Sequence, residues 1–189
     1  MPTSTHSDMN VRNLSVARLR FSSVVWKDMR FPLTRTQQGA NNRPDFDYTN
    51  CGLLFPQNDT AEIAYLIAQI NHDWATGTVI QPHLHFVQTS AAVPVFKMSY
   101  RWYDNGADAT GAFTTIATTG VAIPYTSGSI LQIAPFPEID GSHITGVSSM
   151  LDIKLFRDDN VVTGDVLAKE FDIHIPCDSL GSEELFEKV

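Results

Sequence analysis

From residue 51 onward, short strand-like runs of apolar residues, some alternating with polar ones, recur roughly every dozen positions and are broken by turn chemistry. The runs are 52–55, 62–70, 78–88, 93–103, 112–118, 130–136, 147–156 and 166–175. Asp104-Asn105-Gly106, Ser127-Gly128, Asp158-Asp159-Asn160 and Thr163-Gly164-Asp165 punctuate them as turns. Eight such strands predict an all-β fold, either a two-sheet sandwich or a barrel. One run carries a second pattern: Ile63, Leu66, Ile67 and Ile70 also fit a helical stripe, with Asp59 and Glu62 placed as a capping box. Its neighbours are strands, and it is read as one. A short helix is expected after Ser182, whose hydroxyl can cap while Glu183 and Glu184 face the positive end of the helix dipole.

The 189 residues, 43% of them hydrophobic, suffice for one domain with a real core. No apolar run approaches the roughly 20 residues of a membrane span, so a membrane role is not expected. Residues 1–10 are polar and lack the apolar stretch of a secretory signal, so export by that route is not expected either. Cys51 and Cys177 form no CxxC pair and no disulfide framework, and read as buried reduced thiols.

Charge divides the chain. Residues 1–43 carry seven Arg or Lys against two Asp, a charge of +5, and residues 44–189 carry the remaining −13 of the overall −8. The body would repel phosphate backbones, and the arginines of the first segment are dispersed, so no nucleic acid is expected. The division predicts an extended basic arm, 1–43, ahead of a β-sandwich domain, 44–189. Such an arm suits the acidic body of a neighbouring subunit, or solvent.

The strongest local pattern is Pro82-His83-Leu84-His85-Phe86. Alternation in a strand puts His83 and His85 on one face, roughly 6.5–7 Å apart, and Leu84 and Phe86 on the other. Two neutral imidazoles aimed one way suit two ligands of one transition metal, or two hydrogen-bonded histidines lining a polar face. Gly77, five residues and then His83-x-His85 resemble the start of a cupin motif, in which a barrel encloses a catalytic metal. The carboxylate that should follow is absent from residues 86–90, and the second cupin motif is not evident. The alternative is structural: three copies around a threefold axis would offer six imidazoles to one octahedral ion. His-x-His pairs of that kind resemble the iron-binding device in phage tail-fibre needles. Asp172 and His174 share a polar face of the last strand, where Asp172 could orient His174 or be solvated.

Several segments together, Trp26 to Leu33, Pro44 to Asp47, Gly52 to Phe55, Pro82 to Phe86, Tyr100 to Trp102, Glu170 to His174 and Asp178 to Glu184, resemble a family of tailed-bacteriophage proteins. The resemblance runs from about residue 20 to the C-terminus. Members are regarded as virion structural components, labelled tail-fibre or head-associated, and usually carry Trp where this chain has Phe86. The resemblance implies a jelly-roll-like building block that works as a homotrimer among other virion proteins.

Motifs of catalysis are otherwise missing: no Gly-x-Ser-x-Gly, Walker loop, GxGxxG or His-Glu-x-x-His occurs. Asp158 and Asp159 read as a solvated turn, and Trp74, Tyr100, Trp102 and Tyr103 as core or subunit interface. The expectation is a non-enzymatic virion protein, most simply a trimeric capsid decoration or head-fibre unit with no catalytic residues. Its metal ligands would be His83 and His85, around one transition-metal ion on the trimer axis. A tail-fibre or receptor-binding module and a metal-dependent cupin-type enzyme are the alternatives.

Overall fold

The computed structural model describes residues 20–35, 37–38 and 42–181. In chain order its strands are β1 (Arg20–Pro32), β2 (Gln37–Gln38), β3 (Asp45–Asp47), β4 (Gly52–Phe55), β5 (Ala64–Gln69), β6 (Gln81–Gln88), β7 (Phe96–Tyr103), β8 (Thr114–Ala117), β9 (Ile130–Pro135), β10 (Met150–Arg157) and β11 (Val166–Ser179). One 3-10 turn, Leu33–Arg35, follows β1. No α-helix occurs among the described residues, and the helix expected after Ser182 lies outside them. The run with two readings is a strand, β5.

Strand β4 pairs antiparallel with β11, β5 with β10, β6 with β9 and β7 with β8. The chain is therefore one long antiparallel hairpin with its tip between β7 and β8. Pairing of β6 with β11 and of β7 with β10 rolls that hairpin up. The order β4-β11-β6-β9 then faces β5-β10-β7-β8, which is a jelly roll. Strand β3 extends the first sheet beside β4, and β2 extends the second beside β5. Inward-facing Leu84, Phe86, Phe171 and Ile173 of the first sheet join Leu66, Met98, Leu151 and Ile153 of the second in one buried core. Edge-on ring contacts cross between the sheets, as between Phe55 and Phe96 at 5.7 Å.

Residues 20–32, which the charge pattern assigns to an arm, are a strand of the body. Strand β1 runs antiparallel to β11 from Arg20 opposite Ser179 to Pro32 opposite Glu170. Apolar positions with a period of two explain the docking: Met29 and Leu33 are buried, and Phe31 packs on Phe171 at 6.2 Å. Two of the basic residues meet the acidic body of their own chain. Lys27 bonds Asp73, and Arg30 bonds Glu170, each at 2.7 Å.

Strand β10 points Leu151, Ile153, Leu155 and Arg157 inward in turn, so a guanidinium ends an apolar row. All five of its N–H donors are used. Two go to the Asp159 carboxylate at 2.8 and 3.1 Å, and the other three to the carbonyls of Phe55, Val162 and Gly164. Asp159 also accepts the backbone N–H groups of Val95, Val161 and Val162. The turn expected to be solvated is thus a buried ion pair that ties β4 and β7 to the 158–165 loop. Asp158, its neighbour, pairs with Lys97. Burial opposes ionisation of Asp159, but the Arg157 hydrogen bonds, the backbone donors and the Arg157 charge outweigh it and hold its carboxyl below the ordinary range.

A depressed carboxyl contributes stability in full above the unfolded value near ~4, and loses it as pH falls through the folded value. Asp159→Asn should therefore lower stability at neutral pH by about 3–5 kcal/mol, because it strands the buried Arg157 charge. It should also remove part of the acid destabilisation below pH ~4; urea midpoints measured across that range check both effects. Gly52 offers a second test. A Cβ there would lie 2.5 Å from the Ala168 carbonyl oxygen, a backbone atom that yields only if β4 leaves β11. Gly52→Ala should cost about 1–3 kcal/mol in the same assay.

Candidate functional site

Strand β6 lies between β11 and β9 in the larger sheet. Its alternation aims Leu84 and Phe86 into the core and His83 and His85 out of the sheet. What faces them depends on β11. Ala168 pairs with Phe86, and then Glu170 pairs with His85, so Lys169 is one extra residue, a β-bulge. Before it Val166 and Ala168 point inward; after it Phe171, Ile173, Ile175 and Cys177 do. The bulge therefore turns Asp172 outward, directly opposite His83.

Three donor atoms converge there. His83 Nε2 and His85 Nε2 are 3.2 Å apart, and Asp172 Oδ2 lies 3.1 Å from His85 Nε2 and 3.4 Å from His83 Nε2. His83 and Asp172 are 7% and 5% exposed, and His85 is half-buried. Burial opposes ionisation of Asp172, but hydrogen bonds from both imidazoles and their charges outweigh it, so its carboxyl sits below the ordinary value. His174 does not partner Asp172. Its ring packs on that of His83 at 4.5 Å, and its Nε2 lies 3.1 Å from Asp28 Oδ1.

The cluster forms part of the floor of an open groove of about 710 Å³ on the outside of the jelly roll. One wall carries the Arg30–Glu170 pair, and another carries Gln81 bonded to Glu138, with Ile133, Pro135 and Phe136 adding apolar surface. Asp28, Glu138, Glu170 and Asp172 face one arginine, a balance that favours cations.

The structure brings the expected His83 and His85 together and adds Asp172, for which the sequence leaves open a contact with His174 or with solvent. A cupin would hold its metal inside the barrel, where this chain places Leu84 and Phe86. Asp159 belongs to a structural pair remote in the fold from the groove. Cys177 is buried as expected, whereas Cys51 is exposed. Trp74 and Trp102 meet in the core with ring centroids 5.1 Å apart and their planes tilted by 50°.

No protein-family model matches the chain, and no curated protein matches it significantly. Among solved structures it is similar to the CBM36-1 domain of a multidomain xylanase from the hindgut metagenome of Trinervitermes trinervoides. That match has a TM-score of 0.45 and 10% identity, over 84% of this chain and 100% of the other. It is also similar to the CBM22-1 and GH10 modules of Clostridium thermocellum Xyn10B, with a TM-score of 0.38 and 13% identity, over 90% of this chain and 29% of that one.

The outward orientation of the pair is testable without any ligand. In metal-free protein, Leu84→Ala should cost about 2–5 kcal/mol as a core truncation. His85→Ala should change stability by less than about 1 kcal/mol. Equal large losses in chemical denaturation would place both side chains inside.

Proposed function

We propose that the chain is a structural component of a tailed-phage virion, a non-enzymatic jelly-roll unit that decorates the capsid as a homotrimer. One observation carries this reading. The segments that resemble the phage family lie far apart in sequence, yet most of them fall on β1, β3, β4, β6 and β11, which are strands of one sheet. Along these strands core residues such as Leu84, Phe86, Phe171 and Ile173 alternate with residues of the sheet's outer face, His83, His85 and Asp172 among them. Core positions would follow from folding alone; the polar outer-face positions between them support a surface shared for a purpose.

The same face supports association between copies. Trp26, Leu131 and Ile133 are 49%, 58% and 37% exposed along it, beside charged Asp28 and Arg30. Apolar side chains rimmed by charge are the composition of a protein interface. The jelly roll itself is a stiff unit whose edge strands β2, β3 and β8 are short, which suits repeated placement on a lattice.

Two measurements test the reading. Light scattering at micromolar concentration should give a trimer, and gold-labelled antibody against the chain should mark the heads of intact particles in electron micrographs. A monomer or dimer in solution would overturn the trimer, label on tails would overturn capsid decoration, and particles without label would overturn the virion assignment.

A further inference from the structure

We infer that His83, His85 and Asp172 form a mononuclear site for a divalent transition-metal ion, one per chain, with open coordination positions facing the groove.

Proton counting leads there first. The three atoms form a triangle in which every side is within or close to hydrogen-bond length. A hydrogen bond needs one proton between two lone pairs, and an Nε2–H points at one acceptor. With one imidazole protonated at Nε2, the other nitrogen and the carboxylate oxygen face each other as two lone pairs. With both protonated there, both can donate to the carboxylate oxygen, but the two nitrogens then face each other as donors 3.2 Å apart with no acceptor between them. No assignment of protons satisfies all three sides. A cation at the centre satisfies all three lone pairs at once.

The dimensions agree. A point equidistant from the three atoms lies about 1.9 Å from each, so an ion with bonds of about 2.1 Å caps the triangle from roughly 1 Å above its plane. That is facial binding by three ligands, which leaves positions for water or an oxygen donor. The second carboxylate oxygen, Asp172 Oδ1, is buried and has no hydrogen-bond partner among the described residues. A bare buried oxygen is costly unless a cation neutralises the carboxylate. Two imidazoles and one carboxylate, without thiolate, suit Zn2+ or Fe2+ better than the all-oxygen preference of Ca2+ or Mg2+.

The geometry separates this site from an ion shared on a threefold axis. A shared ion would draw on imidazoles from three chains, and His83, nearly enclosed, would have to leave Asp172 to reach it. A site within one chain needs no rearrangement and gives one ion per chain, in a trimer or in a monomer, so its count is independent of the virion reading.

The test is a metal count on the full chain. Protein stripped with a chelator, dialysed against Zn2+ and analysed for metal should hold about one ion per chain, and Co2+ should give a visible absorption band. Asp172→Asn, which keeps the shape, and His85→Ala should each weaken Zn2+ binding at least tenfold while circular dichroism stays that of a β protein. His143→Gln, at a histidine that packs on Trp102 and does not line the groove, should leave the count unchanged. Zn2+ retained equally by a His83→Ala/His85→Ala double variant would overturn the site, as would no binding at all. One ion per three chains, insensitive to Asp172→Asn, would overturn it in favour of the shared axial ion.

Discussion

The outer face of this jelly roll depends on a single extra residue in its central strand. Lys169 has no counterpart on β6, and beyond it every side chain of β11 changes face. If β11 kept the phase of Val166 and Ala168, Asp172 and His174 would enter the core, and Phe171, Ile173 and Ile175 would face water. The bulge resolves this conflict and in doing so sets a carboxylate against two imidazoles. Neighbouring residues accommodate it. The Lys169 ammonium bonds the Asn50 carbonyl, Cys51 takes a φ of 53°, and Gly52 lets β4 approach the Ala168 carbonyl. Core packing and site geometry are thus two results of one register shift.

The rest of the architecture holds that shift in place. Because the chain is a rolled hairpin, β11 is flanked by β6 on one side and by β4 and then β1 on the other. The Arg157–Asp159 pair pins the loop that leads from β10 into β11, using every donor of the guanidinium. Such a pair adds little net stability over apolar packing, but it is costly to break and it defines one arrangement of the loop. The strand that carries Asp172 therefore enters the sheet from a fixed position.

Much of this was legible in the residues. Strand-like runs separated by turn residues marked the strands from β4 to β11, and the alternation from Pro82 to Phe86 put both histidines on one face. The bulge also left a partial trace: Val166, Leu167 and Ala168 are all apolar, the adjacent polar Lys169 and Glu170 follow, and apolar positions then fall on odd numbers from Phe171 to Ile175. Read as one uniform strand, residues 166–175 leave Asp172 only His174 or solvent as neighbours. Its true partners lie across the sheet, where local alternation carries no information. Strand β1 was missed for a different reason. Its arginines and lysine drew attention to charge, while Met29, Phe31 and Leu33 carried the strand period. Asp159 lay in a correctly placed turn, but the inward phase of Arg157 that buries it emerges only when β10 is counted from Leu151.

The register of β11 brings His83, His85 and Asp172 together from two strands of one chain. Anomalous diffraction at the zinc edge, from crystals of the full chain grown with Zn2+, tests it most directly. One peak per chain is expected, about 2.0–2.2 Å from the Nε2 atoms of His83 and His85 and from a carboxylate oxygen of Asp172. A peak on a threefold axis without Asp172, or no peak in the groove, would contradict it.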